Sequence, residues 1–116
     1  MLHGCDRVLV GMLALGCAGT VSGCACVFPE PFVQAYELYC AGKMEQAQKA
    51  QAICVKFCDA LKRGSNMAYF KAALTLRGID AGHMRKPQLD LEQCELHALQ
   101  MELEALCAQY DISLKV

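Results

Sequence analysis

The chain has no tryptophan, no run of like charges and no glycine-rich phosphate loop of the Walker or dinucleotide type. The last absence leaves phosphate chemistry without support. With 11 basic and 12 acidic side chains, the formal charge of -1 argues against nucleic acid or an anionic membrane surface as the main partner. Without a charged block there is no acidic or basic interaction tail. The longest apolar stretch, near the N-terminus, is broken by Gly11, Gly16 and Gly19, so it does not read as a membrane-spanning helix. Cysteine is plentiful, but nine is an odd count and argues against a closed disulfide framework. Cys24-Ala25-Cys26 and the Cys54/Cys58 pair lack a standard zinc spacing, and no histidine lies near either pair in sequence. No metal site is expected from them.

What is present points to helices. A length of 116 residues suits one small domain with a modest core. Alanine, leucine and cysteine dominate a chain that is 55% hydrophobic, which favours helix over a β-sandwich. Cys40, Cys54, Cys58, Cys94 and Cys107 fall in runs that read as helix cores, where free cysteine behaves as a small hydrophobe. Unpaired cysteines in such number point to a reducing, cytoplasmic compartment. Residues 1–24 invite an alternative reading as the leader of a small helical bacterial lipoprotein with an interaction role. Arg7 supplies charge, residues 8–18 are apolar, and Val21-Ser22-Gly23 precede Cys24. Against it, Asp6 cancels Arg7, and no polar tether follows Cys24.

Along the chain, residues 2–5 and 19–22 read as short buried strands around a helix at residues 8–15, with Asp6 as its N-cap and Gly16 as its stop. Such short connections belong to repeated βα units. Pro29 and Pro31 open a helix that runs to about Cys40 and stops at Gly42. Over residues 43–62, Ala50, Ile53, Cys54, Phe57, Cys58 and Leu61 make one apolar stripe, with Lys49, Gln51, Lys56 and Lys62 off it. Asn66 caps a helix at residues 67–77 with Phe70, Ala73 and Leu74 inward. Residues 81–88 read as loop. Asp90 with Gln93 forms a capping-box pattern before a last stripe of Leu96, Leu99, Leu103, Leu106 and Tyr110. Two βα units fall far short of a closed barrel, and alone they leave strand edges exposed.

Several segments, in this order, carry a resemblance. They are Gly4-Cys5-Asp6, Leu13-Ala14-Leu15-Gly16-Cys17-Ala18-Gly19-Thr20-Val21-Ser22, and Cys24-Ala25-Cys26-Val27-Phe28-Pro29. After them come a helix break at Gly42, Lys71-Ala72-Ala73-Leu74, Gly78, and Arg85-Lys86-Pro87. The series resembles the C-terminal third of the dihydrodipicolinate synthase and N-acetylneuraminate lyase family. In that family the motifs are G-x-D after the seventh barrel strand, L-x-x-G-x-x-G-x-I-S, and x-A-N-x-x-P, followed by K-x-x-L and R-x-P in the extra helices.

The resemblance implies an α/β fold, mostly α by content. Residues 1–41 would be the last two βα units of a TIM barrel, and residues 42–116 a C-terminal helical extension. It implies a pyruvate-dependent aldol condensation or cleavage through a lysine imine, with no added cofactor. The family's imine lysine and proton-shuttling tyrosine come from earlier strands. No catalytic residue is therefore expected in this chain, which is expected to be inactive alone. Gly4, Asp6, Val21, Ser22 and Gly23 would line one wall of the substrate site. From the residues alone, Asp6 reads equally as a helix cap, Val21 as barrel core, and Ser22 with Gly23 as a tight turn. The implied partners are pyruvate or a 2-oxo acid adduct, together with further copies of the chain or the missing barrel half. Cys26 departs from the family's asparagine, and Arg7 stands where sialic acid lyases carry an acid.

Overall fold

The computed structural model describes Met1–Val116. The chain forms two compact units, Met1–Asp59 and Ala60–Val116. No helix is long and apolar enough to cross a membrane.

The first unit opens with β1 (Leu2–His3) paired in parallel to β2 (Gly19–Thr20), in the register Leu2 to Gly19 and His3 to Thr20. Both strands are shorter than their sequence signals. The pairing is extended by backbone bonds from Ala18 to Met1 and from Val21 to His3, each 2.8 Å. Thr20 Oγ1 adds a bond to the His3 carbonyl at 3.0 Å. Beyond His3 the chain turns, and the Cys5 N–H donates to His3 Nδ1 at 3.2 Å instead of to a neighbouring strand.

The expected helix after β1 starts later and differently. Asp6 is not its N-cap: Cys5 precedes a 3-10 turn at Asp6–Val8, and α1 (Leu9–Ala14) follows. Neither start has a cap from its own N-cap side chain. Leu9, Val10 and Leu13 are buried, and Gly16 ends the segment at a φ of +97°, a conformation that disfavours any residue with a Cβ.

A short helix that the sequence pattern did not announce, α2 (Gly23–Val27), follows β2. Its N-cap is Ser22, whose side chain accepts from the Ala25 N–H at 2.9 Å. Then come α3 (Pro29–Cys40), with proline in its first turn, and α4 (Met44–Ala60). Pro31, Phe32 and Ala35 are buried on α3. Ala47, Ala50, Cys54, Phe57 and Cys58 are buried on α4, at the three- and four-residue steps of one helix face. Phe28 and Phe57 close the core with ring centroids 4.7 Å apart and planes tilted by 41°. Each is fully buried, and burying such a ring contributes about 1.5–3 kcal/mol. Cys40 lies on the exposed side of α3, not in the core as its apolar neighbours implied.

In the second unit Asn66 caps α5 (Met67–Leu76) as expected, accepting from the Ala68 N–H at 3.0 Å. Phe70 and Ala73 are buried, and Leu74 is half-buried. A long loop leads to α6 (Gln93–Gln109). Its capping box is made by Glu92 and Glu95, not by Asp90 and Gln93. Asp90 is engaged earlier: Oδ1 accepts from the Met84 N–H at 2.8 Å, and Oδ2 lies 2.8 Å from His83 Nδ1. Leu99, Leu103 and Cys107 are buried, with Leu96, Leu106 and Tyr110 half-buried, so the last stripe is as read. Cys94, like Cys40, is exposed. Arg77 is buried, and its Nη2 donates to the Ser113 carbonyl at 3.2 Å. The Val116 N–H returns to the Arg77 carbonyl at 3.0 Å.

Candidate functional site

Parallel pairing has a direct consequence for the first unit. The segments that leave β1 (Gly4, Cys5, Asp6) and β2 (Val21, Ser22, Gly23) emerge from the same carboxyl-terminal end of the two-stranded sheet. A Cβ built on Gly4 would lie 3.7 Å from the Val21 carbonyl oxygen, so the two segments are in contact. That spacing is ordinary van der Waals contact, and packing inside this chain therefore does not require glycine at position 4. Val21 is 70% exposed, so within this chain it is a surface residue of that end and not core. Ser22 spends its hydroxyl on the α2 cap, and Gly23 is the first residue of that helix.

Asp6 turns part of its carboxylate inward. Its Oδ1 is buried, and no nitrogen or oxygen donor reaches it. The groups that face it are the thiols of Cys24 on α2 and Cys58 on α4, with one ligand atom from each residue within 4.8 Å of the others. Both thiols are 1% exposed. The Cys24 thiol is pushed well above its usual range by hydrogen bonding to Cys58, by burial and by Asp6. Cys58 moves the other way, because the Cys24 S–H donates to its sulfur and Arg7 favours its anion. Arg7 itself is paired with Asp59. Cys54, one turn before Cys58, is pushed up to about 12, chiefly by burial. The sequence reading grouped Cys24 with Cys26 and Cys54 with Cys58. The fold instead leaves Cys26 exposed and joins one member of each pair. The helical stripe of α4 gave Cys58 an inward position; nothing local signalled that Cys24 would meet it.

None of the lysines Lys43, Lys49, Lys56, Lys62, Lys71, Lys86 and Lys115 stands at the end of a strand. Lys71, on α5, is committed to the loop that follows, donating to the carbonyls of Ala81 and His83 at 3.0 Å each.

The alternative reading as a small helical lipoprotein finds no support in the comparisons. Among characterised folds the chain aligns with TIM-barrel lyases over the C-terminal part of their length. The structure of dihydrodipicolinate synthase from Bacteroides thetaiotaomicron superposes with a TM-score of 0.81 at 26% identity, covering 90% of this chain and 37% of that one. An uncharacterised DapA-like lyase of Halobacterium salinarum is 45% identical over 105 residues, which are 90% of this chain and 34% of the relative. The 4-hydroxy-tetrahydrodipicolinate synthase of Clostridium novyi is 33% identical over 104 residues, 90% of this chain and 35% of the enzyme. The chain thus spans about a third of the length of the relatives it matches. A family model, the dihydrodipicolinate synthetase family, matches residues 1–106. With motif order, strand pairing and fold in agreement, the chain belongs to the dihydrodipicolinate synthetase family.

Proposed function

We propose that this chain is the C-terminal part of a pyruvate-dependent lyase, in which residues 1–41 supply the last two βα units of the barrel and residues 42–116 a helical extension. The observation that carries the reading is the parallel β1–β2 pair, which brings the two strand-end segments Gly4–Asp6 and Val21–Gly23 to one end of the sheet. In α/β barrels the loops after the strands build the active face. On this reading Gly4 and Val21 form a wall beside a pyruvate or 2-oxo acid adduct, and Ser22 and Gly23 lie at the pocket mouth. Asp6 offers its second oxygen to substrate, the first being turned toward Cys24 and Cys58.

The chemistry assigned to the family needs an amine that attacks the ketone of pyruvate. A lysine does this when desolvation lowers its pKa at the bottom of a pocket. No lysine of this chain occupies a strand end, so the imine is assigned to a residue outside these 116 positions, and the chain alone is inactive. The exposed strand edge and Val21 are covered, on this reading, by the rest of the barrel or by another copy. The absence of any disulfide among the nine cysteines fits a reducing, cytoplasmic setting.

Borohydride reduction in the presence of pyruvate tests the reading on the protein isolated from its own cells. A trapped adduct on a lysine outside this sequence is the expected result. An adduct on any of the seven lysines above would overturn the inactivity of the chain. No adduct on any polypeptide that carries or co-purifies with it would overturn the pyruvate lyase reading itself.

A further inference from the structure

The first unit contains a cluster whose two thiols, and the Asp6 oxygen turned toward them, the proposed pyruvate chemistry does not use. Asp6 in the 3-10 turn, Cys24 on α2 and Cys58 on α4 come from three separate elements and converge on one point. Their ligand atoms lie within 4.8 Å of one another. In a tetrahedral zinc site, bonds of about 2.3 Å to sulfur and 2.1 Å to oxygen put ligand atoms roughly 3.6–3.8 Å apart. The cluster therefore needs only a small contraction to close on a cation.

Burial and charge point the same way. The two thiols are nine-tenths or more buried, and Asp6 Oδ1 is a buried acceptor that no N–H or O–H reaches. A buried carboxylate oxygen met by nothing stronger than a thiol S–H costs free energy unless something positive meets it. A disulfide between Cys24 and Cys58 would leave that oxygen as it is; a cation satisfies all three atoms together. Two soft sulfur donors with one carboxylate oxygen suit zinc and other thiophilic divalent ions, and they do not suit the all-oxygen shells of calcium or magnesium. Two thiolates and a carboxylate around a divalent ion leave one net negative charge.

We infer that Asp6, Cys24 and Cys58 form a binding site for a thiophilic divalent cation of the zinc type, with water in the fourth position. Binding makes two metal–sulfur bonds and one metal–oxygen bond, and the thiol protons leave to solvent. The ion pins the turn after β1 to α2 and α4. It takes no part in forming the imine.

Cobalt(II) is the probe for a first test, on the full-length protein kept reduced, with Cys5, Cys26, Cys40 and Cys94 changed to serine to remove exposed thiols. The expected result is one cobalt per chain, a thiolate-to-cobalt charge-transfer band, loss of the band when zinc is added, and a Tm that rises with zinc. Cys24→Ser and Cys58→Ser abolish the band. Asp6→Asn keeps it with binding weakened roughly tenfold, as loss of a charged ligand implies. No band, or a band that survives in the Cys24→Ser/Cys58→Ser double variant, overturns the site. Should the serine variants fail to fold, X-ray absorption at the zinc edge of the unsubstituted protein decides. Two sulfur and two oxygen scatterers support the site; a shell of four sulfurs, or one without sulfur, overturns it.

Discussion

The backbone N–H of Val10 donates to the side-chain oxygen of Gln51, 2.9 Å away and 41 residues on in sequence. Val10 is in the first turn of α1, where N–H groups have no partner within the helix. Because neither Cys5 nor Val8 caps the start with a side chain, α4 does so from outside. The Gln51 amide nitrogen meanwhile donates to the Asp6 carbonyl at 3.2 Å, so one side chain ties both ends of the turn that presents Asp6. Replacing Gln51 by leucine removes the acceptor while keeping the bulk, and leaves a half-buried N–H unpaired. The expected cost is about 1–3 kcal/mol, read as a lower urea midpoint. Gln51→Glu keeps an acceptor for Val10 but sets an anion against the Asp6 carbonyl, and it recovers only part of the loss. A midpoint unchanged in Gln51→Leu would remove Gln51 as the cap.

Gln51 also shows where sequence reasoning stops. Its position off the apolar stripe of α4 was legible, and that stripe is right: Ala50, Cys54, Phe57 and Cys58 are all buried. A polar residue beside a stripe is indistinguishable from a solvated one until the helix it meets is known. The same holds for Arg77, which is buried at the end of α5 because its guanidinium reaches the Ser113 carbonyl. Local signals with strong backbone chemistry were read correctly, including Gly16 and Gly42 as stops, Asn66 as a cap and proline at the start of α3. Signals shared by several candidates were not. Asp6 had the right residue type for a cap, yet its carboxylate faces two thiols; Asp90 had a capping-box partner in Gln93, yet the loop takes it first. Family motifs implied the two parallel strands, and with them that the segments after each strand share one end of the pair. The Asp6–Cys24–Cys58 convergence depends on three elements meeting in space, which no spacing rule encodes.

Ser22 offers a separation of two roles. Its hydroxyl accepts from the Ala25 N–H at 2.9 Å, which caps a helix of only five residues. Ser22→Ala is expected to cost about 1 kcal/mol, and Ser22→Asp to stay within a few tenths of the unsubstituted protein, since a carboxylate caps as well as a hydroxyl. Chemical denaturation of the two variants checks this. Equal losses in both would mean that the hydroxyl matters for something other than the cap.

Acid sensitivity in the second unit should centre on Asp90. Its carboxyl is held below the usual carboxylate range first by the Met84 N–H and then by His83. A folded-state pKa below the unfolded value of about 3.9 means that folding favours the ionised form. The contribution is therefore fully present above that unfolded value and is lost as pH falls through the lower, folded value. Asp90 is largely in solvent, so the contribution is small and its electrostatic part, through His83, is screened by salt. The part from the Met84 N–H does not depend on ionic strength in the same way. Asp90→Asn should thus be the less stable protein at neutral pH, with the gap closing below about pH 4 as the native carboxylate gains its proton. The Met84 amide resonance, followed by NMR, should titrate with Asp90 in the native chain and stay flat in the variant. A Met84 amide that is indifferent to pH in both would mean that Asp90 does not hold the loop between α5 and α6. That loop would then owe its shape to Lys71, which grips the Ala81 and His83 carbonyls from α5.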